Sequence, residues 1–340
     1  MQYGRSGDAA RPERLAARIR QYHRADGIAE RGFVRIGGID QWITIRGNDR
    51  RNPAILILHG GPGDAQSPLA YLYRHWEKSF TVVQWDQRGA GRTYARYGNS
   101  TPDMTLDRMI EDGAEVANYA RRHLHQDKVI LLGHSWGSAL GVYVLKRHPD
   151  LFSAFVGTGM MVNVQSMLRW HYAYSWARLT ADHNERGLSE LRQLGPPPYS
   201  TDAQEEVMRA WLDRYLAPAD GLYLLSSVGL MLRDAKYSLH DFRELQAGHL
   251  SFSLPKMHLV LENIDLAALG YDMPVPFFII DAQEDRITPP QIAARYFQRV
   301  KAPDKAMVLI PGAGHFAMMS NSDEFLEILL HRVRAALATD

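Results

Sequence analysis

Apolar positions along the chain follow two alternating periods. Ala54-Ile-Leu-Ile-Leu58, residues 81–85, Val129-Ile-Leu-Leu132, residues 154–157, Pro276-Phe-Phe-Ile-Ile280 and residues 307–310 are short, nearly continuous apolar runs. Strands buried on both faces read this way, because helices cover each side of a parallel sheet. Between these runs the period lengthens to that of a helix. Residues 106–124 place apolar side chains at helical spacing, with acids early and arginines late, as the helix dipole favours. Further helices are predicted over residues 138–146, from about 290 and from about 322. Upstream, residues 32–36 and 41–46 read as two strands joined at Gly37-Gly38, a hairpin signal. An amphipathic helical piece is expected over residues 15–22.

The alternation of buried strand and amphipathic helix predicts an α/β fold with a mostly parallel, doubly wound sheet. It stops after residue 157 and resumes at 276. The intervening stretch of roughly 100 residues is helix-rich and aromatic, and too long for a loop. It contains a Gly195-Pro-Pro-Pro198 turn. The expected organisation is a core made of residues 1–162 and 270–340, interrupted by a helical cap at 163–269. There is no internal repeat.

Composition changes this picture mainly by exclusion. Hydrophobic residues make up 46% and charged residues 23% of the chain, the balance of a soluble globular protein. Lys plus Arg (39) nearly cancels Asp plus Glu (38), so no long-range field favours nucleic acid or an anionic membrane. The chain has no cysteine, which removes disulfides, thiolate nucleophiles and thiolate metal sites. No stretch approaches the roughly 18 apolar residues of a membrane span, and the first 20 residues lack the apolar centre of a signal peptide. A cytoplasmic protein is expected. No His/Asp cluster shows ligand spacing, so no metal and no cofactor are expected. The sequence carries no signature of an oligomeric state.

Gly133-His134-Ser135-Trp136-Gly137 follows a predicted strand and precedes a predicted helix. That is the context a Gly-x-Ser-x-Gly nucleophile turn requires. Side chains two residues either side of the serine would collide in so sharp a turn, and the helix N-terminus favours developing negative charge. A serine needs a base. Among fourteen histidines, His315 follows the last predicted strand through Pro311-Gly-Ala-Gly314 and fits the chain order Ser, acid, His. His134 leaves the turn in another direction, and His59 reads as a hydrogen-bonding strut. The acid is expected on the loop Asp281-Ala-Gln-Glu284-Asp285-Arg-Ile-Thr-Pro289: Asp285 first, Glu284 and Asp281 as alternatives. Oxyanion donors are worth roughly 3 kcal/mol each. They are expected from the backbone N–H of Trp136 and of Gly61, in the glycine turn Gly60-Gly61-Pro62-Gly63.

Taken together, His59-Gly-Gly-Pro-Gly63, Asp86-Gln-Arg-Gly89-Ala-Gly91-Arg-Thr93 and Gly133-His-Ser-Trp-Gly-Ser138 resemble the proline iminopeptidase branch of the α/β-hydrolases. The likeness covers about residues 30–160 and 275–335. It implies an α/β-hydrolase fold, in which Asp86 and Arg88 are architectural supports, and a small-molecule or short-peptide substrate. The branch includes aminopeptidases that remove N-terminal proline as well as esterases and amide hydrolases. The cap departs from the branch. Trp211-Leu-Asp213-Arg214-Tyr215 stands nearest to the family's Trp-x-x-Trp-Glu stretch, and Ala282-Gln-Glu-Asp285 replaces Gly-Arg-x-Asp.

Cap aromatics, chiefly Trp170, Tyr174 and Trp211, are candidates for an apolar substrate pocket, with helix packing as the alternative. The leading expectation is a serine hydrolase of a small ester or amide, working through Ser135, His315 and Asp285. The alternatives are a prolyl-type aminopeptidase, a lactonase or carbon–carbon bond hydrolase, and a non-catalytic binding protein on the same scaffold.

Overall fold

The computed structural model describes residues 26–231 and 237–337; the helix expected over residues 15–22 lies outside them. Eight strands form one sheet: β1 (Ile28–Ile36), β2 (Ile39–Gly47), β3 (Ala54–Leu58), β4 (Thr81–Asp86), β5 (Val129–His134), β6 (Phe152–Thr158), β7 (Phe277–Ala282) and β8 (Lys305–Ile310). Their order is β1-β2-β4-β3-β5-β6-β7-β8. The pairs β1–β2 and β2–β4 are antiparallel, and all pairs from β4 to β8 are parallel. The hairpin at Gly37-Gly38 places both glycines at positive φ, +55° and +77°, as a two-residue turn between twisted strands requires.

The apolar runs are continuous because successive side chains enter different cores. Leu56, Leu58, Leu131, Phe155 and Phe277 join one cluster, whereas Ile55, Ile57, Ile130, Val156 and Phe278 join another. The helices associated with the sheet are α1 (Gly91–Tyr97), α2 (Leu106–His123), α3 (Trp136–Arg147), α10 (Pro290–Arg299), α11 (Ala317–Ser320) and α12 (Ser322–Ile328). Helix α2 has Thr105 as its N-cap, accepting from Arg108 N, and three basic residues in its last turn.

Between β6 and β7 the chain forms α4 (Val164–Ala181), α5 (Glu185–Leu194), α6 (Asp202–Asp213), α7 (Pro218–Met231), α8 (Leu239–Gln246), a π-helical turn (Ala247–Ser253) and α9 (Leu254–Glu262). This insertion has a core of its own around Leu179, Leu188, Leu191, Tyr199, Met208, Trp211 and Leu212. Its two ends are tied by an antiparallel bridge between Asn163 and Asp265. Among the described residues no helix is long and apolar enough to cross a membrane.

Strands β3 and β5 to β8 point the same way, so the loops that follow them gather at one edge of the sheet. Ligands of open α/β sheets bind at that carboxyl edge. Ser135, the glycine turn after β3, and the loops carrying Asp285 and His315 all lie there.

Candidate active site

Ser135 leaves β5 with φ +55° and ψ −122°, a left-handed conformation that a non-glycine residue holds only when its surroundings enforce it. Two glycines show the enforcement. A Cβ on Gly133 would strike the carbonyl oxygen of Gly137, and a Cβ on Gly137 would strike that of Leu58. Ser135 N–H donates to Thr158 O at 3.0 Å, and the Ser135 carbonyl accepts from Ser138 N at 2.8 Å and Ser138 Oγ at 2.6 Å. The serine thus stands immediately before α3, whose first amides have no intrahelical acceptor. The Trp136 N–H is the first of these.

The loops after β7 and β8 bring His315 and Asp285 together. His315 Nδ1 donates to Asp285 Oδ2 at 2.8 Å. The same oxygen accepts from Thr288 Oγ1 at 2.6 Å, and Oδ1 accepts from the backbone N–H groups of Ile287 and Thr288, each at 2.8 Å. Burial opposes a charge on Asp285, but the His315 charge and these hydrogen bonds outweigh it and hold the carboxyl below its ordinary range. Burial likewise opposes a charge on His315, yet Asp285 prevails and raises the imidazole above its ordinary value. With Nδ1 engaged, Nε2 is the nitrogen left to exchange a proton.

The two other acids of this loop are placed differently. Glu284 pairs with Arg286 at 3.5 Å. Asp281 is fully buried; its Oδ1 accepts from Met160 N at 3.2 Å, while Oδ2 has no partner among the described residues. Burial, with the Asp285 charge, pushes Asp281 up to about 8. Two neighbouring carboxyls cannot both ionise cheaply, and the charge goes to the one with more donors.

The glycine turn lies against the serine: a Cβ on Gly60 would sit 3.2 Å from Ser135 Cβ. Gly61 follows with φ +105°, and a Cβ there would crowd Gly63 N, Asp64 N and His249 Nδ1. Behind the turn, His59 Nε2 accepts from Gln87 N at 3.1 Å and His59 Nδ1 donates to Gly60 O at 2.9 Å. Burial pushes this imidazole down to about 4, so it is a neutral strut. Gln87 donates from Nε2 to His59 O at 3.1 Å and accepts from Trp136 Nε1 at 3.0 Å. One side chain therefore links the glycine turn to the residue after Ser135. Arg88 and Asp112 form a fully buried pair at 2.9 Å, and Arg88 also donates to Gly37 O. His134 packs against His315, ring centroids 4.8 Å apart, and donates to His315 O at 3.0 Å.

The insertion touches this edge at two places that the sequence did not signal. Asp220 on α7 is 1% exposed and accepts from the backbone N–H groups of His315 at 2.9 Å and Phe316 at 3.2 Å. Gly314 packs so closely on that carboxylate that any Cβ there would overlap it. Tyr223, one turn on, stacks on Phe316 with ring centroids 4.6 Å apart. At the other side, His249 in the π-helical turn donates from Nδ1 to Pro62 O at 2.8 Å, and Ser253 Oγ donates to Gly89 O at 2.8 Å. π-Helical turns recur at functional sites. Neither Asp220 nor His249 belongs to a local motif; only their positions in the folded insertion single them out.

The aromatic candidates are held by contacts of their own. Trp211 is buried in the insertion's own core and its Nε1 donates to Glu190 Oε2 at 3.0 Å. Trp170 and Tyr174 stack on each other at 4.7 Å, and Tyr174 lies under Arg286. Helix packing accounts for these contacts. The sequence shows no His/Asp cluster with ligand spacing, but the fold brings Glu205, His258 and Glu262 together, with ligand atoms within 4.8 Å of one another. The sequence shows the His258–Glu262 helical pair, but Glu205 arrives from another helix, α6. The three form ion pairs, His258 lying 3.6 Å from Glu262 and 4.0 Å from Glu205, and such pairs stand without a metal.

The family model of the alpha/beta hydrolase fold matches residues 53–322. The probable aminopeptidase YbaC of Bacillus subtilis is 31% identical over 309 residues, covering 88% of this chain and 94% of that protein. A proline iminopeptidase of Saccharolobus solfataricus is 25% identical over 310 residues, covering 88% and 91%. Among solved structures, a proline iminopeptidase-related protein of Thermus thermophilus superposes with a TM-score of 0.67 at 20% identity, covering 92% of this chain and 99% of that one. At that identity the likeness is one of fold. The chain belongs to the α/β-hydrolase fold family and is a proline iminopeptidase-like hydrolase.

Proposed function

We propose that the protein hydrolyses a small ester or amide through Ser135, His315 and Asp285. The observation that carries the reading is the buried relay from Asp285 Oδ2 to His315 Nδ1 at 2.8 Å, on a loop edge shared with a serine held at φ +55°. Ser135 Oγ attacks the carbonyl carbon while His315 Nε2 takes its proton, giving a tetrahedral oxyanion. Asp285 stabilises the imidazolium and fixes its tautomer. The N–H groups of Trp136 and Gly61 receive the oxyanion. His315 then returns the proton to the leaving alcohol or amine, and the acyl-enzyme forms. Water, deprotonated by His315, attacks the acyl carbon, and Ser135 leaves with the proton restored. The helical insertion, residues 163–269, is the cap over this site and bounds the substrate.

A second reading, an aminopeptidase, is favoured by the relative named probable aminopeptidase, which matches nearly end to end. The test compares proline p-nitroanilide, its N-blocked form and p-nitrophenyl butyrate on wild type and Ser135→Ala. Loss of about 10⁴-fold or more in kcat is expected for Ser135→Ala, together with loss of fluorophosphonate labelling. Retained activity in that variant overturns the triad. Cleavage of the proline substrate that vanishes when its amine is blocked establishes the aminopeptidase, whereas turnover of the ester alone establishes the esterase.

A further inference from the structure

Where the insertion joins the sheet domain, Val164 N donates to Ile264 O and Leu266 N donates to Val162 O. Beside this neck lies a groove of about 600 Å³ that contains neither Ser135 nor His315. Three arginines line it: Arg169 from α4, and Arg295 and Arg299 from α10. The groove holds one carboxylate, Asp265, which accepts from Ala267 N at 3.1 Å to cap the turn that follows it. No ion pair joins any of the three arginines to a carboxylate among the described residues. Arg169 reaches Ser166 Oγ at 3.5 Å, and Arg299 lies over the Tyr271 ring at 4.0 Å.

A second observation is independent of charge. Tyr296, which also lines the groove, is 4% exposed, and its hydroxyl is buried with no hydrogen-bond partner among the described residues. Buried polar groups are almost always satisfied, so an orphaned hydroxyl in a cleft wall needs an explanation. The Tyr271 and Tyr296 rings are 5.5 Å apart, and Trp170 stands at the same groove. The lining thus combines flat aromatic surface, a net excess of two positive charges and one unmet donor. Ligand sites are built this way, with apolar walls and a few polar groups that fix orientation.

We propose that this groove binds a small oxyanion with a flat apolar body, of the aryl phosphate or aryl carboxylate class. The guanidinium groups would take the anionic oxygens in the bidentate manner that arginine favours, and the rings would take the body. Since Arg169 belongs to the insertion and Arg295 and Arg299 to the helix that opens just after Asp285 and Thr288, a bound anion bridges the two at the neck. This site stands whether or not the triad performs the proposed reaction.

The test is calorimetric titration of the Ser135→Ala protein, which removes turnover, with phenyl phosphate, benzoate, inorganic phosphate and phenol. Saturable 1:1 binding of phenyl phosphate or benzoate is expected, with inorganic phosphate weaker and phenol without measurable binding. Saturation by one aryl anion alone identifies which oxyanion the groove takes. Adding Arg295→Gln and Arg299→Gln is expected to weaken binding at least about tenfold, and raising salt to weaken it further. Tyr296→Phe, which keeps the ring and removes the hydroxyl, is expected to weaken it by about three- to tenfold. An absence of saturable binding at millimolar concentrations overturns the proposal. Binding unchanged by the paired arginine substitutions also overturns it, because the anion would then lie elsewhere.

Discussion

In the sheet domain, Ile55 and Ile57 enter one core while Leu56 and Leu58 enter the other. In the insertion, Leu179, Leu191 and Trp211 turn inward to a small core, and contact with the candidate active site rests on a few polar side chains and the Tyr223–Phe316 stack. The difference is one of redundancy. Each central strand of the sheet is held by ladder bonds and two apolar layers, so its residues are placed many times over. The insertion is positioned at the site by Asp220 on the His315 loop and His249 on the glycine turn. Single substitutions at those contacts should disturb the site without dismantling the fold.

Asp220→Asn breaks that contrast most severely if it is wrong. An amide cannot accept from two backbone N–H groups with both of its atoms; one is a donor facing a donor. Such a mismatch costs about 1–3 kcal/mol, and if it displaces His315 it lowers kcat by roughly ten- to a hundredfold. The pH profile separates positioning from general damage. His315 must be neutral to accept the serine proton, and the groups facing it are Asp285, Asp281, Asp220 and the neutral His134. Asp220 contributes to raising the imidazole, so removing its charge is expected to move the acid limb of kcat/KM to lower pH. A fall in kcat with an unmoved acid limb would show Asp220 to be packing alone, and an unchanged kcat would show that the insertion does not position the histidine.

The same contrast explains what could be read from the chain. The nucleophile turn was legible because its glycines are required by contacts within the turn itself, four to five residues apart, and with β3. The choice of Asp285 over Asp281 was legible in part: Thr288 follows at the right spacing to bond the acid, but the partner of Asp281, Met160, lies 121 residues away. Gln87 was hidden inside a motif whose Asp and Arg drew attention as supports, although Gln87 is the residue that joins His59 to Trp136. The hairpin strands extend to residues 28 and 47, beyond the apolar pattern, because Glu30 and Arg31 pair along an exposed strand. The insertion was least legible where it mattered. Its aromatic residues suggest a pocket in the sequence, but aromatic content signals buried surface without saying whose core it fills.

Trp211→Phe sharpens that last point with a smaller effect. The indole is 8% exposed and packs beside Leu179, close to Gly187 of α5. Shrinking the ring and losing its bond to Glu190 is expected to lower stability by about 1–2 kcal/mol, while kcat/KM for the best substrate stays within about twofold. Thermal denaturation and steady-state kinetics check the two halves. A KM that rises tenfold with unchanged stability would return Trp211 to the substrate pocket.

Asp281→Asn has the smallest expected effect on activity, and the sign of its effect on stability is set by proton linkage. Folding raises this carboxyl from 3.8 to about 8, so between those values the folded protein holds a proton that the unfolded chain has released. Stability therefore falls as pH rises through that window and levels off above it. Asparagine keeps the oxygen that accepts from Met160 and carries no proton to lose. The variant is expected to match wild type near pH 4 and to exceed it progressively up to about pH 8 in urea denaturation, with the Asp285–His315 contribution cancelling between the two proteins. Activity should persist, since Asp285 is the carboxylate that bonds His315 Nδ1 and Asp281 is protonated beside it. Parallel stability curves would mean that Asp281 is ionised beside Asp285 in the folded protein. The sheet domain would then tolerate an unpaired buried charge that its packing, unlike that of the insertion, is expected to exclude.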